Sequence, residues 1–364
     1  MTIPDVSIVT SGHDVADARI HRLCAAFMDA GLTVELLGLG AADGAPRGAR
    51  ATVTTRPGFV GRAMTAVRYA AAARGRVLVA LDPDSLLAGL AVARLRRRRV
   101  VADIHEDYGA LLADRPWARG WKGRVAAVLA GVATWAARRA DLVIVADDHV
   151  PPTAARRRVV LRNLPYPGML PGESQVQLPP RAVYIGDVRG SRGLWAMIES
   201  IEDAPGWSLD IVGPVSRDEE PRLTAYLAEG AARDRLRLHG RQPPREAWRL
   251  AAGAACGLVL LEDTPAFRAA MPSKLYEYVA SGLPVIVTDL PRQREFVEAQ
   301  QVGVVVPAGE TCAASVSEVL RAWSADPEAL ARLRERTAAF RATADEWRTT
   351  YAAAAGAVAE LVSR

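Results

Sequence analysis

Short apolar runs recur along this chain, and stretches with helical spacing separate them. The runs fall at residues 6–9, 33–37, 77–81, 100–103, 141–145, 181–185, 257–261, 285–287 and 303–306. Most of them lack the alternation of a strand with one solvated face, so they indicate parallel strands that are covered on both faces. Strands that alternate with helices in this way predict an α/β fold built from βαβ units.

The length and one interruption of the pattern predict two domains. A chain of 364 residues is long enough for two domains of ordinary size. Residues 165–180 hold five prolines and few hydrophobic pairs, which is typical of a linker. We therefore predict one Rossmann-like domain at 1–164, a second at 181–342, and a last helix at 343–364.

Cysteine usage and hydrophobic patterning favour the cytoplasm. Cys24, Cys256 and Cys312 are far apart and have no spacing typical of a metal or redox site, which indicates buried thiols in a reducing compartment. The N-terminal residues lack the pattern of a signal peptide. No run of about 18 apolar residues is present to span a membrane.

The charge is distributed unevenly. Residues 1–165 carry 24 Lys and Arg against 15 Asp and Glu, whereas residues 166–364 carry 22 against 26. A basic N-terminal half suits an anionic partner, which is a lipid surface, an acidic acceptor or nucleic acid. Segments 94–99 and 117–124 combine cations with apolar or aromatic residues, so they are candidates for peripheral contact with an anionic bilayer.

Nucleic acid is the least favoured of these partners. Its candidate segments, 94–99 and 156–158, flank predicted strands and lack interleaved aromatic residues. A solvated charged face explains them, and we expect no nucleic-acid partner.

Residues 271–289 carry the strongest chemical signal. The spacing of Leu275 and Tyr278 predicts a short helix that begins near Ser273. The first N–H groups of a helix are unsatisfied and attract a phosphate, and Lys274 adds a full charge there. Glu277, one turn further on, can accept hydrogen bonds from the hydroxyls of a ribose. An ordinary amphipathic helix with a surface Lys–Glu pair is the alternative.

Segment 272–289 resembles the C-terminal donor motif of glycosyltransferase family 4, whose members are retaining enzymes that use nucleotide sugars. Glu277 matches the second Glu of the family's Glu-x7-Glu motif. Ala269 stands where the first Glu is expected, as in a branch with a Pro-x-Lys-x-x-Glu-Tyr core. The resemblance implies the GT-B fold, in which two Rossmann-like, doubly wound domains face each other across a cleft and the C-terminal helix crosses back onto the first domain.

The loop at 186–193 resembles the family's phosphate loop, which begins at Gly186. Arg192 replaces the usual Lys, and Asp187 stands where Arg is expected. Arg189 is the candidate to supply that missing charge. The resemblance therefore implies that these residues, with Ser273, Lys274 and Glu277, bind the donor.

Three N-terminal motifs also resemble the family: Asp17-Ala-Arg19-Ile20, Asp103-Ile-His-Glu106 and Arg162-Asn163. Gly12 and His13 follow the first predicted strand, and His105 and Glu106 follow a later one. Ligands of open α/β sheets bind at such strand ends. The resemblance implies an acceptor side formed by Gly12, His13, His105 and Glu106, with His105 beside the donor sugar.

Asp82 and Asp84 admit two interpretations. The pair suits a metal ion that carries a nucleotide diphosphate. It also resembles the Asp-x-Asp turn that family 4 has at this place, which fits a phosphate site without metal. We expect no metal and no cofactor.

The resemblance implies transfer of a sugar from a nucleoside diphosphate to a hydroxyl or amine of a glycan, lipid or small-molecule acceptor, with His105, Arg192 and Lys274 as catalytic residues. Two alternatives are a nucleotide-sugar 2-epimerase of the same fold and a non-enzymatic basic protein that binds nucleic acid. The epimerase normally shows carboxylates that are missing here.

Overall fold

The computed structural model describes residues 3–105, 108, 120–170, 174–342 and 344–364. It divides into two compact units: Met1–Asn163 with Glu346–Arg364, and Leu164–Asp345. Residues 165–180, predicted as a linker, are counted with the second unit by their contacts.

The first unit contains a parallel sheet of seven strands, and all of its pairings in the described residues run in the same direction. The strands are β1 Val6–Asp14, β2 Val34–Leu39, β3 Arg50–Thr54, β4 Val77–Ala80, β5 Arg99–Ile104, β6 Leu142–Val145 and β7 Arg158–Val160. Their order is β3-β2-β1-β4-β5-β6-β7, so the sheet reverses its direction of growth between β1 and β4. This reversal is the switch point of a doubly wound sheet.

Four helices of the described residues cover this sheet. They are α1 Ala18–Asp29, α2 Phe59–Ala72, α3 Pro83–Arg96 and α4 Gly120–Ala137. Asp17 begins α1 by accepting a hydrogen bond from the Arg19 N–H, and Asp82 begins α3 in the same way through Ser85. The buried sides of α2, α3 and α4 belong to one core cluster, so these three helices cover the same face of the sheet.

The second unit has a parallel sheet of six strands: β8 Arg181–Ile185, β9 Ser208–Val212, β10 Leu236–Gly240, β11 Cys256–Val259, β12 Val285–Thr288 and β13 Gly303–Val306. Their order is β10-β9-β8-β11-β12-β13, with the reversal between β8 and β11. One core cluster packs on each face of this sheet, as expected of strands whose side chains are apolar in both directions.

The remaining helices follow in chain order: α5 Leu194–Glu202, α6 Glu220–Glu229, α7 Pro244–Ala251, α8 Pro265–Ala269, α9 Ser273–Ala280, α10 Pro291–Gln300, α11 Cys312–Ala325, α12 Pro327–Arg341 and α13 Ala344–Ser363. Along α13, Trp347, Tyr351, Val358 and Leu361 are buried. Glu360 pairs with Arg157, which belongs to the same unit, at 2.8 Å.

The first strand is longer than the sequence predicts. Residues 10–13, which were expected to follow the strand predicted at 6–9, continue β1 as far as Asp14. The pairing with β2 shifts register between Val9 and Asp14. The register shifts because Thr10 and Ser11 turn their polar groups towards Asp82 instead of following the regular ladder.

No helix in the described ranges is long and apolar enough to cross a membrane.

Candidate functional site

The turn after β8 lies at the switch point of the second sheet. Gly186 has a φ of +142° and Gly193 a φ of +84°, values that favour glycine. A Cβ on Gly193 would lie 2.3 Å from the Leu260 carbonyl oxygen, at the end of the neighbouring β11. The loop from Gly186 to Gly193 is therefore held tightly against the carboxyl ends of β8 and β11, where open α/β sheets bind ligands.

Helix α9 brings Lys274 to this loop. The Lys274 Nζ lies 3.7 Å from the centroid of the Tyr184 ring, which is a cation–π contact. A Cβ on Gly186 would lie 2.7 Å from the same Nζ, so any larger residue there would displace the ammonium. Tyr184 is held in turn by the hydrogen bond that its hydroxyl donates to the Asp187 carbonyl, at 2.6 Å.

The Lys274 ammonium has no hydrogen-bond acceptor among the described residues, although the side chain is buried. Burial lowers the pKa of Lys274 well below its ordinary value, and the nearby charge of Arg192 lowers it further. Asp187 and Glu277 act in the opposite direction but more weakly.

Arg192 and Arg189 lie in the same loop and are half-buried. Arg192 immediately precedes Gly193, while Arg189 reaches back to the Asp187 carboxylate at 3.2 Å. Arg189 is thus paired with Asp187 in the described structure, and its role as the replacement for the family's Arg stays a prediction. Arg192 and Lys274 are the two cations that the fold brings together.

Glu277 and Ser273 lie on α9, which begins at Ser273 as predicted. Pro272 occupies the N-cap position, and no side chain caps this helix. The N–H groups at its start therefore keep their positive character next to Lys274. Glu277 is buried one turn further on. Ala269, at the position of the missing Glu, is exposed at the end of α8, and its carbonyl accepts a hydrogen bond from Arg292 at 2.9 Å.

In the first unit, the fold brings His13 and His105 together. Their ring centroids are 4.8 Å apart in an edge-to-face arrangement. His13 Nδ1 lies 3.5 Å from the Asp17 carboxylate. Burial alone raises the pKa of Asp17, but the hydrogen bond and charge of His13 lower it below its ordinary value. Glu106, predicted beside them, lies outside the described residues.

Asp82 acts as a hub for hydrogen bonds at the switch point of the first sheet. Its carboxylate accepts from the Thr10 hydroxyl at 2.8 Å and from the N–H of Ser11 at 2.9 Å. The predicted site residue Gly12 also points its N–H there, at 3.3 Å. Arg62 pairs with Asp84 at 2.6 Å. The carboxylates considered as metal ligands are thus engaged by protein donors, and no group of three metal-ligating side chains occurs among the described residues.

Arg19 joins the three N-terminal motifs, a role that the sequence analysis missed. Its guanidinium pairs with both oxygens of Asp103, at 2.5 and 2.7 Å, and donates to the Asn163 side chain at 2.8 Å. Arg19 and Asp103 are both almost fully buried. The pair fixes the end of β5 just before His105. A charged residue on the apolar side of α1 was the signal available in the sequence.

Tyr184 was also missed, because it lies within an apolar run that indicated only a core strand. A separate cavity of about 280 Å³ opens where Gly213 and Gly240 end β9 and β10.

Part of the second unit matches a known family model. Residues 175–340 match the family model described as glycosyl transferases group 1. This range contains the turn at Gly186, Arg192 and the whole of α9. No curated protein matches the chain in sequence.

Solved structures with nearly the same fold cover almost the whole chain. Sucrose-phosphate synthase from Thermosynechococcus elongatus is 16% identical with a TM-score of 0.65, over 94% of this chain and 96% of that one. Anabaena HepE in complex with UDP and glucose is 15% identical with a TM-score of 0.67, over 98% of each chain. WaaG, a glycosyltransferase involved in lipopolysaccharide biosynthesis, is 14% identical with a TM-score of 0.64, over 97% and 99%. Identities this low show the fold alone, and the α/β GT-B fold predicted from the sequence is confirmed.

Proposed function

We propose that this protein is a retaining glycosyltransferase that moves a sugar from a nucleoside-diphosphate sugar to an acceptor hydroxyl or amine. The observation that carries the proposal is the Lys274 ammonium, which is buried beside Arg192 at the switch point of the second sheet and has no acceptor among the described residues. A diphosphate supplies the anion that this pair of cations lacks. The match of residues 175–340 to glycosyl transferases group 1 supports the same assignment.

The proposed chemistry needs charge stabilisation more than a dedicated base. As the bond between the anomeric carbon and the β-phosphate oxygen breaks, negative charge grows on the diphosphate. Lys274, Arg192 and the N–H groups of Ser273 and Lys274 stabilise it electrostatically. The acceptor oxygen bonds to the anomeric carbon on the same face, and its proton passes to the leaving phosphate. These cations take the place that a metal ion has in other transferases.

Glu277 is the proposed ligand of the ribose, because a buried carboxylate one turn from a phosphate site is at the right distance for two vicinal hydroxyls. Gly186 and Arg189 belong to the same loop and are proposed to line the donor. HepE was solved with UDP and with UDP-glucose, which favours UDP as the nucleotide to test first.

On the first unit we propose that Gly12, His13, His105 and Glu106 serve the acceptor, a glycan, a lipid or a small molecule. The contact between His13 and His105 supports a shared role for the two rings. His105→Ala is expected to lower kcat more than it weakens donor binding, and equal losses in both would contradict the acceptor-side assignment.

The direct test is a screen of UDP-, GDP- and dTDP-sugars for an increase in Tm, because a ligand that binds the folded state stabilises it. The stabilising sugar is then incubated with candidate acceptors in excess EDTA, and NMR determines the anomeric configuration of the product. Retention in EDTA supports the proposal. An inverted product, or loss of all activity in EDTA, contradicts it, and release of UDP with an epimerised sugar and no acceptor favours the 2-epimerase.

A further inference from the structure

The exposed apolar side chains of this protein are concentrated on one helical layer. Among the described residues, eleven large hydrophobic side chains are exposed, and nine of them lie on α2, α3 and α4. The nine are Met64, Val67, Leu95, Trp121, Val125, Val128, Leu129, Val132 and Trp135. We call this layer the α2–α4 face. The other two are Ile3, near the N-terminus, and Leu178, in the second unit.

Helix α4 contributes a continuous apolar stripe. Trp121, Val125, Val128, Val132 and Trp135 are separated by four, three, four and three positions, which places them on one side of a helix. Their exposed fractions run from 41% to 68%, so the stripe faces solvent rather than the core. The two Trp rings stand about 21 Å apart along the axis, at 1.5 Å per residue.

The opposite side of the same helix is the one that packs. Ala130, Ala133 and Ala137 are buried, and α3 contacts both α2 and α4. The three helices share one core cluster over the sheet. Their outer sides therefore form a single surface, and large apolar groups of this kind on a surface mark an interaction site.

Among the described residues, the exposed charges on the α2–α4 face are positive. Residues 44–81, 85–102 and 115–140 contain no Asp or Glu. Asp84, the single acidic residue on the three helices, is paired with Arg62. The exposed cations are Arg68, Arg94, Arg96, Arg97, Arg124, Arg138 and Arg139. Arg139 lies over the ring of Trp135, with its guanidinium carbon 3.4 Å from the ring centroid.

From this arrangement we infer that the α2–α4 face docks on an anionic lipid bilayer. The apolar stripe of α4 enters the boundary between headgroups and acyl chains, with a Trp at each end at headgroup level. The surrounding arginines bind anionic headgroups. The inference extends the contact expected from segments 94–99 and 117–124 to the whole length of α4; Trp117 itself lies outside the described residues.

Charge also decides between a bilayer and a second copy of this chain. The spacing along α4 suits pairing with another helix, but two copies of this face would bring rows of Arg into contact, with no compensating carboxylate among the described residues of the face. Like charges across an interface oppose association. An anionic surface neutralises these same residues.

Co-sedimentation with vesicles tests the inference. The protein is expected to bind phosphatidylglycerol-containing vesicles at low salt at least ~10-fold more strongly than pure phosphatidylcholine vesicles. The triple variant Trp121→Ser, Val128→Ser, Trp135→Ser is expected to lose at least ~10-fold of this binding. The matched variant Ile3→Ser, Leu178→Ser removes exposed apolar groups elsewhere and is expected to bind as the parent does.

A charge series gives a second and milder variant in case the first does not fold. The face variant is Arg68→Gln, Arg94→Gln, Arg124→Gln, and its control on the second unit is Arg217→Gln, Arg321→Gln, Arg336→Gln. Only the face variant is expected to lose binding to anionic vesicles. Absence of binding by the parent at low salt, or equal losses in face and control variants, overturns the inference. The inference is also overturned if the parent does not bind vesicles but forms a dimer in light scattering that the Trp121 triple variant abolishes. That result would indicate self-association through this face.

Discussion

At the switch point of the first sheet, Asp82 is surrounded by the groups that satisfy it: Thr10, Ser11 and Ser85 donate hydrogen bonds to its carboxylate. At the corresponding point of the second sheet, Lys274 is equally buried, but its ammonium has no acceptor among the described residues. The same strand order thus supports a polar cluster that is complete in one unit and incomplete in the other.

The difference separates stability from binding. Buried polar groups that find their partners within the protein stabilise it, and removing one partner leaves a costly orphan. A buried charge without a partner is a cost that the fold retains, and such sites are candidates for ligand binding. Substitutions in the first cluster should therefore lower the free energy of unfolding, and substitutions in the second should lower activity.

Arg19→Met should have the largest effect on stability. It leaves the Asp103 carboxylate buried and unpaired, which typically costs about 3–5 kcal/mol. Urea unfolding measures the loss. Exposed Arg94→Met is the control and should change stability by less than about 0.5 kcal/mol. If the double variant Arg19→Met, Asp103→Leu is no more stable than Arg19→Met alone, the loss does not come from the orphaned carboxylate.

Lys274→Met should lower activity without lowering stability. It should cost roughly 2–4 kcal/mol of transition-state stabilisation in kcat/KM, as should Arg192→Ala, because both remove charge from the site of a developing anion. Stability should stay level or rise, since a desolvated ammonium is replaced by an apolar chain of similar length. Kinetics and urea unfolding of the same preparation measure the two effects. A lower free energy of unfolding with normal kcat/KM would show that Lys274 serves stability and not catalysis.

Asp82→Asn should lower stability by about 1–3 kcal/mol, because an amide cannot accept all the hydrogen bonds that the carboxylate accepts. The control is Asp84→Asn, whose side chain is partly exposed and pairs mainly with Arg62. Its loss should be smaller, about 1 kcal/mol or less. A loss of activity in Asp82→Asn that added Mg²⁺ or Mn²⁺ restores would instead favour the metal interpretation.

Glu277→Gln should have the smallest effect. Donor affinity is expected to fall by about 1 kcal/mol, the usual worth of one hydrogen bond, while the unfolding midpoint stays close to that of the parent. Titration calorimetry with UDP, GDP and dTDP measures it. If every nucleotide binds the variant as it binds the parent, Glu277 has a structural role only.

Much of this architecture follows from pattern. The apolar runs predicted the strands, because a parallel strand that is buried on both faces needs apolar side chains at nearly every position. Strand order is different: which runs become neighbours depends on contacts between distant residues, and no local signal in β8 specifies β11 as its neighbour.

The site was predictable in part for the same reason. Lys274 and Glu277 lie on one helix at a recognisable spacing, so the sequence indicated them. The contacts of Arg19 with Asp103 and Asn163 join residues up to 144 positions apart, and the sequence showed only three separate motifs. The ring of Tyr184 under Lys274 had no signal in the sequence beyond an aromatic residue in a strand.

The central claim is that an anion completes the buried Lys274 ammonium, and proton uptake tests it most directly. Burial lowers the pKa of the free Lys274 well below 10.5, and a bound diphosphate should raise it again. At a pH between the pKa of Lys274 in the free protein and its pKa in the complex, Lys274 takes up a proton when the diphosphate binds. Affinity for the diphosphate should therefore fall as the pH rises from the lower pKa to the higher one. Titration calorimetry with UDP in buffers of different ionisation enthalpy measures the uptake. We predict uptake by the parent and none by Lys274→Met; equal uptake by both, or tight binding without any, would contradict the account.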